Sequence, residues 1–195
     1  MSEFLIIGGG INGLLLAREL SSTGAEVELV EKGECAREAS WAGGGIVSPL
    51  YPWRYQASVT KLASWAQDFY PQLARELREE TGIDTEFQQC GLLMLDADDE
   101  AEALTWAELN SRKIERLDTI SLYRRETRLA PGFSSALLMP DVANIRNPRL
   151  GKAMVGSLRQ RSNVKIREGC EVVDFNCIGE KINSVLVVHS GVLWI

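Results

Sequence analysis

The chain has 195 residues, of which 45% are hydrophobic, and a formal net charge of -6 at pH 7. This length and composition predict a globular protein with one large domain or parts of two. The negative charge gives no electrostatic footprint for nucleic acid or for an anionic membrane, so neither is expected as a partner.

The first predicted element is an apolar strand, residues 4–7, that runs into a glycine-rich turn and a helix over residues 11–23. Gly8, Gly10 and Gly13 occupy the glycine positions of G-x-G-x-x-G. In that motif the first glycine allows the sharp turn, the second admits a pyrophosphate to the backbone, and the third lets the helix pack on the strand. Unpaired N–H groups and the helix dipole then favour the anion without a basic side chain.

A second strand, residues 27–30, follows this helix and ends in Glu31, which can accept hydrogen bonds from a ribose hydroxyl. Gly24 is the predicted C-cap of the helix. The alternative is a glycine-rich loop of another α/β domain, with Glu31 an ordinary solvated charge. The order of strand, glycines, helix, strand and acid favours the dinucleotide site. The residues predicted to face inward are Leu14, Leu15 and Ala17.

Neither a secretory signal nor a membrane span is predicted. No Lys or Arg precedes the apolar N-terminal run, and the glycines and Asn12 interrupt it. No stretch reaches the roughly 18 apolar residues of a membrane helix. We therefore expect a cytoplasmic protein.

The cysteines and the single histidine argue against a metal site and a nucleophilic centre. The cysteines have no C-x-x-C spacing, and His189 has no second histidine nearby. His189 lies in a strand pattern rather than beside a candidate nucleophile. Cys90 and Cys170 lie in apolar segments and are expected to be small buried filler. If the protein is an enzyme, a cofactor carries the chemistry.

A second glycine run, residues 43–45, follows Ser40-Trp41 and precedes Pro49. It allows the chain to lie flat against a ligand, and a flexible hinge is the alternative. With the first motif and Glu31, the run over residues 40–55 resembles the FAD-dependent amino acid oxidases, and among them the bacterial glycine oxidases of thiamine biosynthesis. The resemblance extends through the chain to the Val172 strand.

The resemblance implies that FAD is the cofactor and that most of its contacts are with the main chain. In this interpretation the pyrophosphate lies against Gly8, Gly10, Ile11, Asn12 and Gly13, and the adenosine ribose lies against Glu31 with Lys32 alongside. The diphosphate and ribityl region lies against Ala39 and Ser40, and the flavin lies against Gly44, Gly45 and Ile46. The adenine edge contacts the backbone of Val172.

The middle of the chain predicts a different layer. Helical spacing covers residues 57–81, ending at Gly82, with a kink expected at Pro71. A strand is predicted over 87–95 and an acidic helix over 98–112. Trp65 and Trp106, at helical spacing, are expected to be core or interface residues.

The last part of the chain predicts a return to the first layer. A helix over 148–161 begins at Pro148 and is followed by strands over 164–166 and 172–175. The strands over 182–189 and 192–195 predict a hairpin with its turn at Ser190-Gly191.

The predicted fold is therefore α/β, a discontinuous Rossmann-like FAD-binding domain over residues 1–48 and 146–195. Residues 49–145 are predicted to form part of an inserted α+β substrate domain. Because the chain stops within a strand pattern, we expect it to be the N-terminal part of a longer protein.

For the complete enzyme the resemblance implies oxidative deamination of glycine or another small amine, with oxygen reduced to hydrogen peroxide. It also implies that the other half supplies the arginine that binds the substrate carboxylate, so the chain alone is expected to turn over no glycine. We predict no catalytic residue and no metal, and a homo-oligomer stays open. The alternatives are a sarcosine or D-amino acid oxidase, an NAD-dependent dehydrogenase, and a catalytically silent binding module.

Overall fold

The computed structural model describes residues 2–179, 181–189 and 192–194. The chain forms two compact units, residues 1–44, 75–85 and 146–195, and residues 45–74 and 86–145. In the described part, no helix is both long and apolar enough to span a membrane. The elements are β1 (Phe4–Ile7), α1 (Ile11–Ser22), β2 (Val27–Val30), α2 (Ala39–Ala42), β3 (Ile46–Val47), a 3-10 helix (Pro52–Arg54), α3 (Ala57–Thr81), β4 (Leu92–Leu95), α4 (Glu100–Leu109), β5 (Glu115–Asp118), α5 (Thr119–Arg125), β6 (Ser135–Met139), β7 (Ala143–Asn144), α6 (Asn147–Arg159), β8 (Val164–Arg167), β9 (Cys170–Ile178), β10 (Lys181–His189) and β11 (Val192–Trp194).

The first unit contains a parallel sheet with the strand order β1-β2-β8. Helix α1 connects β1 to β2 and buries Leu14 and Ala17 completely, whereas Leu15 is only half-buried. The C-cap is Thr23, and Gly24, predicted for that role, follows it with φ +90°. The predicted strand–helix–strand arrangement is therefore present, and the helix end differs by one residue.

A second sheet of the same unit is antiparallel, in the order β11-β10-β9. Strands β10 and β11 pair from Val187–Trp194 to His189–Val192, as a hairpin requires. Its predicted turn at Ser190-Gly191 lies outside the described residues. Strand β9 is longer than the predicted 172–175, because β10 pairs along it from Cys170 to Ile178.

An ion-pair cluster around Arg18 joins α1, α3 and α6 within the first unit. The Arg18 guanidinium donates to Glu76 at 2.9 Å, to both Glu80 oxygens at 2.6 and 2.7 Å, and to the Ser157 hydroxyl at 2.6 Å. The Arg18 side chain is 7% exposed. The two glutamates of this Arg18 cluster lie in residues 75–85, which belong to the first unit although they fall within the predicted inserted layer.

The second unit contains an antiparallel sheet in the order β4-β6-β5, and a short antiparallel pair, β3 with β7. Its core is formed by Met94, Ala103, Leu137, Met139 and Val142. Strands β5 and β6 were not predicted. The predicted strand over 87–95 is shorter because Gly91, at φ +75°, separates β4 from an isolated bridge at Gln88.

The burial of three side chains in this unit, those of Trp65, Trp106 and Cys90, can be compared with the sequence predictions. Trp65 is not a core residue, since 63% of it is exposed, and its ring stacks on Phe69. Trp106 is half-buried. Cys90 is exposed and not buried filler, because it follows the sheet bridge instead of lying within a strand.

The kink expected at Pro71 does not interrupt the helix, since α3 continues through Pro71 without a break.

Candidate functional site

The turn between β1 and α1, residues 8–13, is called the glycine bend below. Gly8 has φ +106°, a conformation that favours glycine, and its N–H donates to the Val30 carbonyl at 2.8 Å. A Cβ on Gly13 would lie 2.0 Å from the Gly8 carbonyl oxygen. Only glycine at position 13 therefore allows α1 to approach the end of β1 this closely.

The Glu31 carboxylate is fixed against this bend by two backbone donors. Its Oε2 accepts the Gly9 N–H at 2.7 Å, and its Oε1 accepts the Gly33 N–H at 2.8 Å. Each carboxylate oxygen can accept more than one hydrogen bond, so a hydroxyl donor can still bind there. The structure thus brings Glu31 and the glycine bend together, and it adds a direct contact that the sequence did not predict.

Ser40 reaches the same place from α2. Its hydroxyl accepts the Ile11 N–H at 2.9 Å, and a Cβ on Gly10 would lie 3.4 Å from the Ser40 oxygen. Gly10 is the N-cap of α1 and has no side chain that could cap the helix. Ser40 therefore satisfies one N-terminal amide from elsewhere in the chain and lines the glycine bend.

The remaining donors at this helix end suit an anionic ligand. In the described part of the chain, the N–H groups of Gly10 and Asn12 donate no hydrogen bond to another protein group. The first turn of α1 contains no acidic residue. Free amides at the positive end of a 12-residue helix are the donor set that binds a pyrophosphate. The glycine bend therefore fits the phosphates of a dinucleotide.

The Lys32 ammonium, predicted to lie alongside the ribose, pairs with the exposed Glu38 carboxylate at 3.0 Å. Its hydrogen bond to Glu38 raises the pKa of Lys32. Ala39 is exposed and opens α2. Val172 is half-buried in β9, against the cluster that contains Val30. These residues belong to the first unit, as do the glycine bend and Glu31.

The predicted flavin contacts, Gly44, Gly45 and Ile46, fall on both sides of the division between the units. Gly44 is exposed and ends a segment of the first unit. Gly45 begins the second unit with φ +69°, and its carbonyl accepts the Ile145 N–H at 2.8 Å. Ile46 is exposed and pairs with Asn144 in the β3–β7 ladder. Their role at a flavin stays a prediction.

Sequence reasoning missed the support beneath the glycine bend. Gly9 is buried against Cys35, whose sulfur would be 2.5 Å from a Cβ at position 9. Ala36 has φ +57° and donates its N–H to the Gly9 carbonyl at 2.8 Å. Burial raises the pKa of the Cys35 thiol to about 12, so the group is a packing residue and not a nucleophile. The available signal was the small size of Cys35 and Ala36, four and five residues after Glu31.

His189 does lie beside a cysteine, contrary to the sequence interpretation. Its Nδ1 is 3.3 Å from the Cys170 sulfur and 3.0 Å from the Gly169 carbonyl oxygen. The pairing of β9 with β10 sets His189 opposite Cys170, a juxtaposition that sequence separation conceals. A carbonyl can only accept, so a hydrogen bond to Gly169 places the proton on Nδ1 and leaves no lone pair there for the thiol proton. In the described part, no three potential metal ligands cluster.

The parallel sheet, the glycine bend and the acid after β2 define a dinucleotide-binding α/β protein. The chain belongs to the FAD dependent oxidoreductase family (DAO), whose pattern matches residues 3–192. The family establishes FAD, rather than NAD, as the cofactor, in agreement with the sequence prediction.

Curated relatives cover almost the whole chain. It is 48% identical over 186 residues to a glycine oxidase of Pseudomonas aeruginosa, covering 95% of this chain and 51% of the relative. It is 49% identical over 173 residues to a glycine oxidase of Pseudomonas putida, covering 89% of this chain and 47% of the relative. The chain thus spans about half the length of these relatives.

Solved structures confirm the α/β fold. The glycine oxidase of Bacillus cereus superposes with a TM-score of 0.85 at 28% identity, covering 99% of this chain and 52% of that structure. The glycine oxidase of Geobacillus kaustophilus gives a TM-score of 0.82 at 26% identity, covering 97% of this chain and 52% of that structure.

Proposed function

We propose that the glycine bend, Glu31 and Ser40 hold the adenosine and phosphate half of FAD. The free amides of Gly10 and Asn12 receive the pyrophosphate, and the carboxylate of Glu31 accepts from the ribose hydroxyls. The convergence of these groups from β1, β2 and α2 is the observation that carries the proposal. The complete proposed set is Gly8, Gly10, Ile11, Asn12, Gly13, Glu31, Lys32, Ala39, Ser40, Gly44, Gly45, Ile46 and Val172.

We further propose that a protein of the relatives' length built on this half oxidises glycine or a similar small amine to the oxo acid, ammonia and hydrogen peroxide. The identities of 48% and 49% to two glycine oxidases support this substrate class. Bound FAD supplies the electron acceptor for the amine and returns the electrons to oxygen. The chain's own residues bind and orient it, and none of them is assigned as a general base.

We assign a different role to each of the two compact units. The unit that contains the glycine bend binds the adenosine and phosphate half of the cofactor, and residues 45–74 and 86–145 form the substrate side, with Gly45 and Ile46 proposed at the flavin. Compared with the predicted discontinuous domain, this assignment moves residues 75–85 to the cofactor side, which the Arg18 cluster supports, and residues 45–48 to the substrate side.

A role in thiamine biosynthesis and a cytoplasmic location are further parts of the proposal. A bifunctional ThiO/ThiG protein of Nostoc is 30% identical over 91 residues, which is 47% of this chain. The formation of a homo-oligomer also stays a prediction.

An oxidase of N-methylated amines is the second candidate. A 4-methylaminobutanoate oxidase of Paenarthrobacter nicotinovorans is 31% identical over 197 residues, covering 95% of this chain but 23% of the relative. Its cofactor half would contain the same kind of bend, so cofactor binding does not separate the two activities.

A chimaera tests the proposed activity. Residues 1–192 are joined to the part of the P. aeruginosa glycine oxidase that follows its aligned region, and peroxide release is measured with glycine, sarcosine, D-alanine and 4-methylaminobutanoate. We expect a yellow protein with the highest kcat/KM for glycine, and no flavin in the matched Gly13→Ala chimaera. A flavin-loaded chimaera that oxidises only the N-methylated amines would favour the second candidate. A folded chimaera without flavin would contradict the proposed cofactor site.

A further inference from the structure

One side of α3 in the second unit presents an apolar stripe to solvent. The stripe comprises Val59, Leu62, Trp65 and Phe69, whose helical spacing places them on one side of the helix. Val59 is 52% exposed, Leu62 is 70% exposed and Trp65 is 63% exposed. The Trp65 and Phe69 rings stack, with centroids 5.2 Å apart and an interplanar angle of 9°. Phe69 is itself half-buried, so the exposed members of the α3 stripe are Val59, Leu62 and Trp65.

The apolar spacing of the α3 stripe continues into a part of the same helix that is buried. Farther along α3, Leu73 and Leu77 continue the apolar spacing and are completely buried. One amphipathic face is thus covered at its C-terminal end and open at its N-terminal end. A contiguous exposed apolar patch of this kind is typical of an interaction surface.

A groove beside the stripe defines the chemistry of the partner. It has a volume of about 690 Å³, and its aromatic lining includes Trp53, Trp65 and Trp106. Among its lining residues, Arg112 and Asp68 form a two-point ion pair, with both distances 2.8 Å. Lys61, which also lines the groove, forms no ion pair within the described part of the chain. The groove fits a surface that inserts an apolar side chain and presents a carboxylate to Lys61.

We infer that the α3 stripe is the docking surface for the second half of the polypeptide found in the longer relatives. Two relatives match this chain over 51% and 47% of their own lengths, so each contains about as much chain again. A covalently linked second half would be present at high effective concentration, so it would occupy this surface even if its intrinsic affinity were modest. The inference rests on the lengths of the relatives and not on the proposed activity.

Co-expression of the two halves tests this surface. The 195-residue chain is produced with a tagged polypeptide that contains the part of the P. aeruginosa glycine oxidase beyond its aligned region. Association is measured by copurification and then by light scattering of the purified complex. We expect a one-to-one complex, and at least tenfold weaker association for the Leu62→Glu, Trp65→Glu double variant. The matched control is Ile120→Glu, since Ile120 is also 70% exposed but lies on α5.

Thermal unfolding of each variant shows whether the chain is still folded. If the double glutamate variant unfolds, the Leu62→Ala, Trp65→Ala pair replaces it and is also expected to weaken the complex. Failure of the folded wild-type chain to associate would overturn the inference, as would a complex that neither pair of substitutions weakens. Loss of a self-associated dimer in these variants, without any complex with the second half, would assign the surface to another copy of the chain and also overturn it. None of these readouts needs FAD or peroxide, so this test can fail independently of the proposed function.

Discussion

Gly13 is the position in the glycine bend with the least room for a side chain. A Cβ there would lie 2.0 Å from the Gly8 carbonyl oxygen, and neither backbone segment can move without separating α1 from β1. We predict that Gly13→Ala lowers the free energy of unfolding by about 2 kcal/mol, in the range of overpacked cores. Chemical denaturation of the purified chain measures this change.

The control for that substitution is Gly156→Ala in α6. A Cβ at position 156 would lie 3.4 Å from the Thr81 side chain, an ordinary contact, and alanine is the better helix former. We expect this variant to be as stable as the wild type or more so. Equal stability of the Gly13 and Gly156 variants would show that the bend is less crowded than the structure indicates.

Gly9 and Cys35 should be energetically coupled. A Cβ on Gly9 would meet the Cys35 sulfur at 2.5 Å, so Gly9→Ala is expected to be destabilising. Adding Cys35→Ala removes the sulfur but leaves the Cys35 Cβ at 3.2 Å, which predicts a partial rescue. A double-mutant cycle by urea denaturation should give a coupling of about 1 kcal/mol. Additive effects would mean that the two residues do not share this contact.

Some contacts of these residues could be predicted from the sequence, and others could not. The positive φ of Gly8 and the crowding at Gly13 follow from a local motif whose spacing is visible in the sequence. The Gly9–Cys35 contact and the Ser40–Ile11 hydrogen bond join residues far apart in the chain. Motif spacing carries no information about such contacts, because they depend on how later segments fold back.

At the scale of elements, the Arg18 cluster links three helices and should respond to pH. The hydrogen bond from Arg18 lowers the pKa of Glu80 from 4.5 to about 2. A carboxyl group with a lowered folded-state pKa stabilises the fold above its unfolded pKa, and that stabilisation is lost as the pH falls toward the folded value. The cluster should therefore stabilise the chain at neutral pH and lose this contribution between about pH 4.5 and pH 2.

The variant that tests this linkage is Glu80→Gln. We expect it to be less stable than the wild type by about 1 kcal/mol at pH 7, a modest value because a third-exposed carboxylate is screened by solvent. The difference should shrink as the pH approaches 2. Denaturation at both pH values measures it, with the exposed Glu79→Gln as the control. A difference that stays constant with pH would contradict the ionic role of Glu80.

The elements themselves divide into those that pattern predicts and those that it does not. The long helix α3 was predicted at its observed bounds, because its apolar spacing ends at Gly82, which has φ +71°. Strand β5 has the sequence ERLD, and its one apolar side chain, that of Leu117, is half-buried. It was not predicted because its pairing with β6, and not its own hydrophobicity, makes it a strand.

For the whole molecule, the sequence predicted the α/β fold and FAD as the cofactor, whereas the two compact units have other bounds than the predicted domains. Local sequence motifs predict the glycine bend and the acidic residue after β2. Residues 75–85 belong to the first unit, where Glu76 and Glu80 pair with Arg18, a residue that the apolar pattern of α1 gave no reason to regard as buried. Contacts between residues so far apart in the chain are not visible in local sequence patterns.

We propose that the glycine bend and Glu31 bind FAD in this chain. The direct measurement is a titration of FAD with the purified 195-residue chain, following flavin fluorescence, for the wild type, Glu31→Ala and the matched control Glu34→Ala. Glu34 is exposed and pairs only with Arg37 in the described part of the chain. We predict saturable one-to-one binding that is at least tenfold weaker in Glu31→Ala, since a charge-assisted hydrogen bond contributes about 1.5–3 kcal/mol, and unchanged in Glu34→Ala. Saturable binding with equal affinity in all three proteins, or none in the folded wild type, would contradict it.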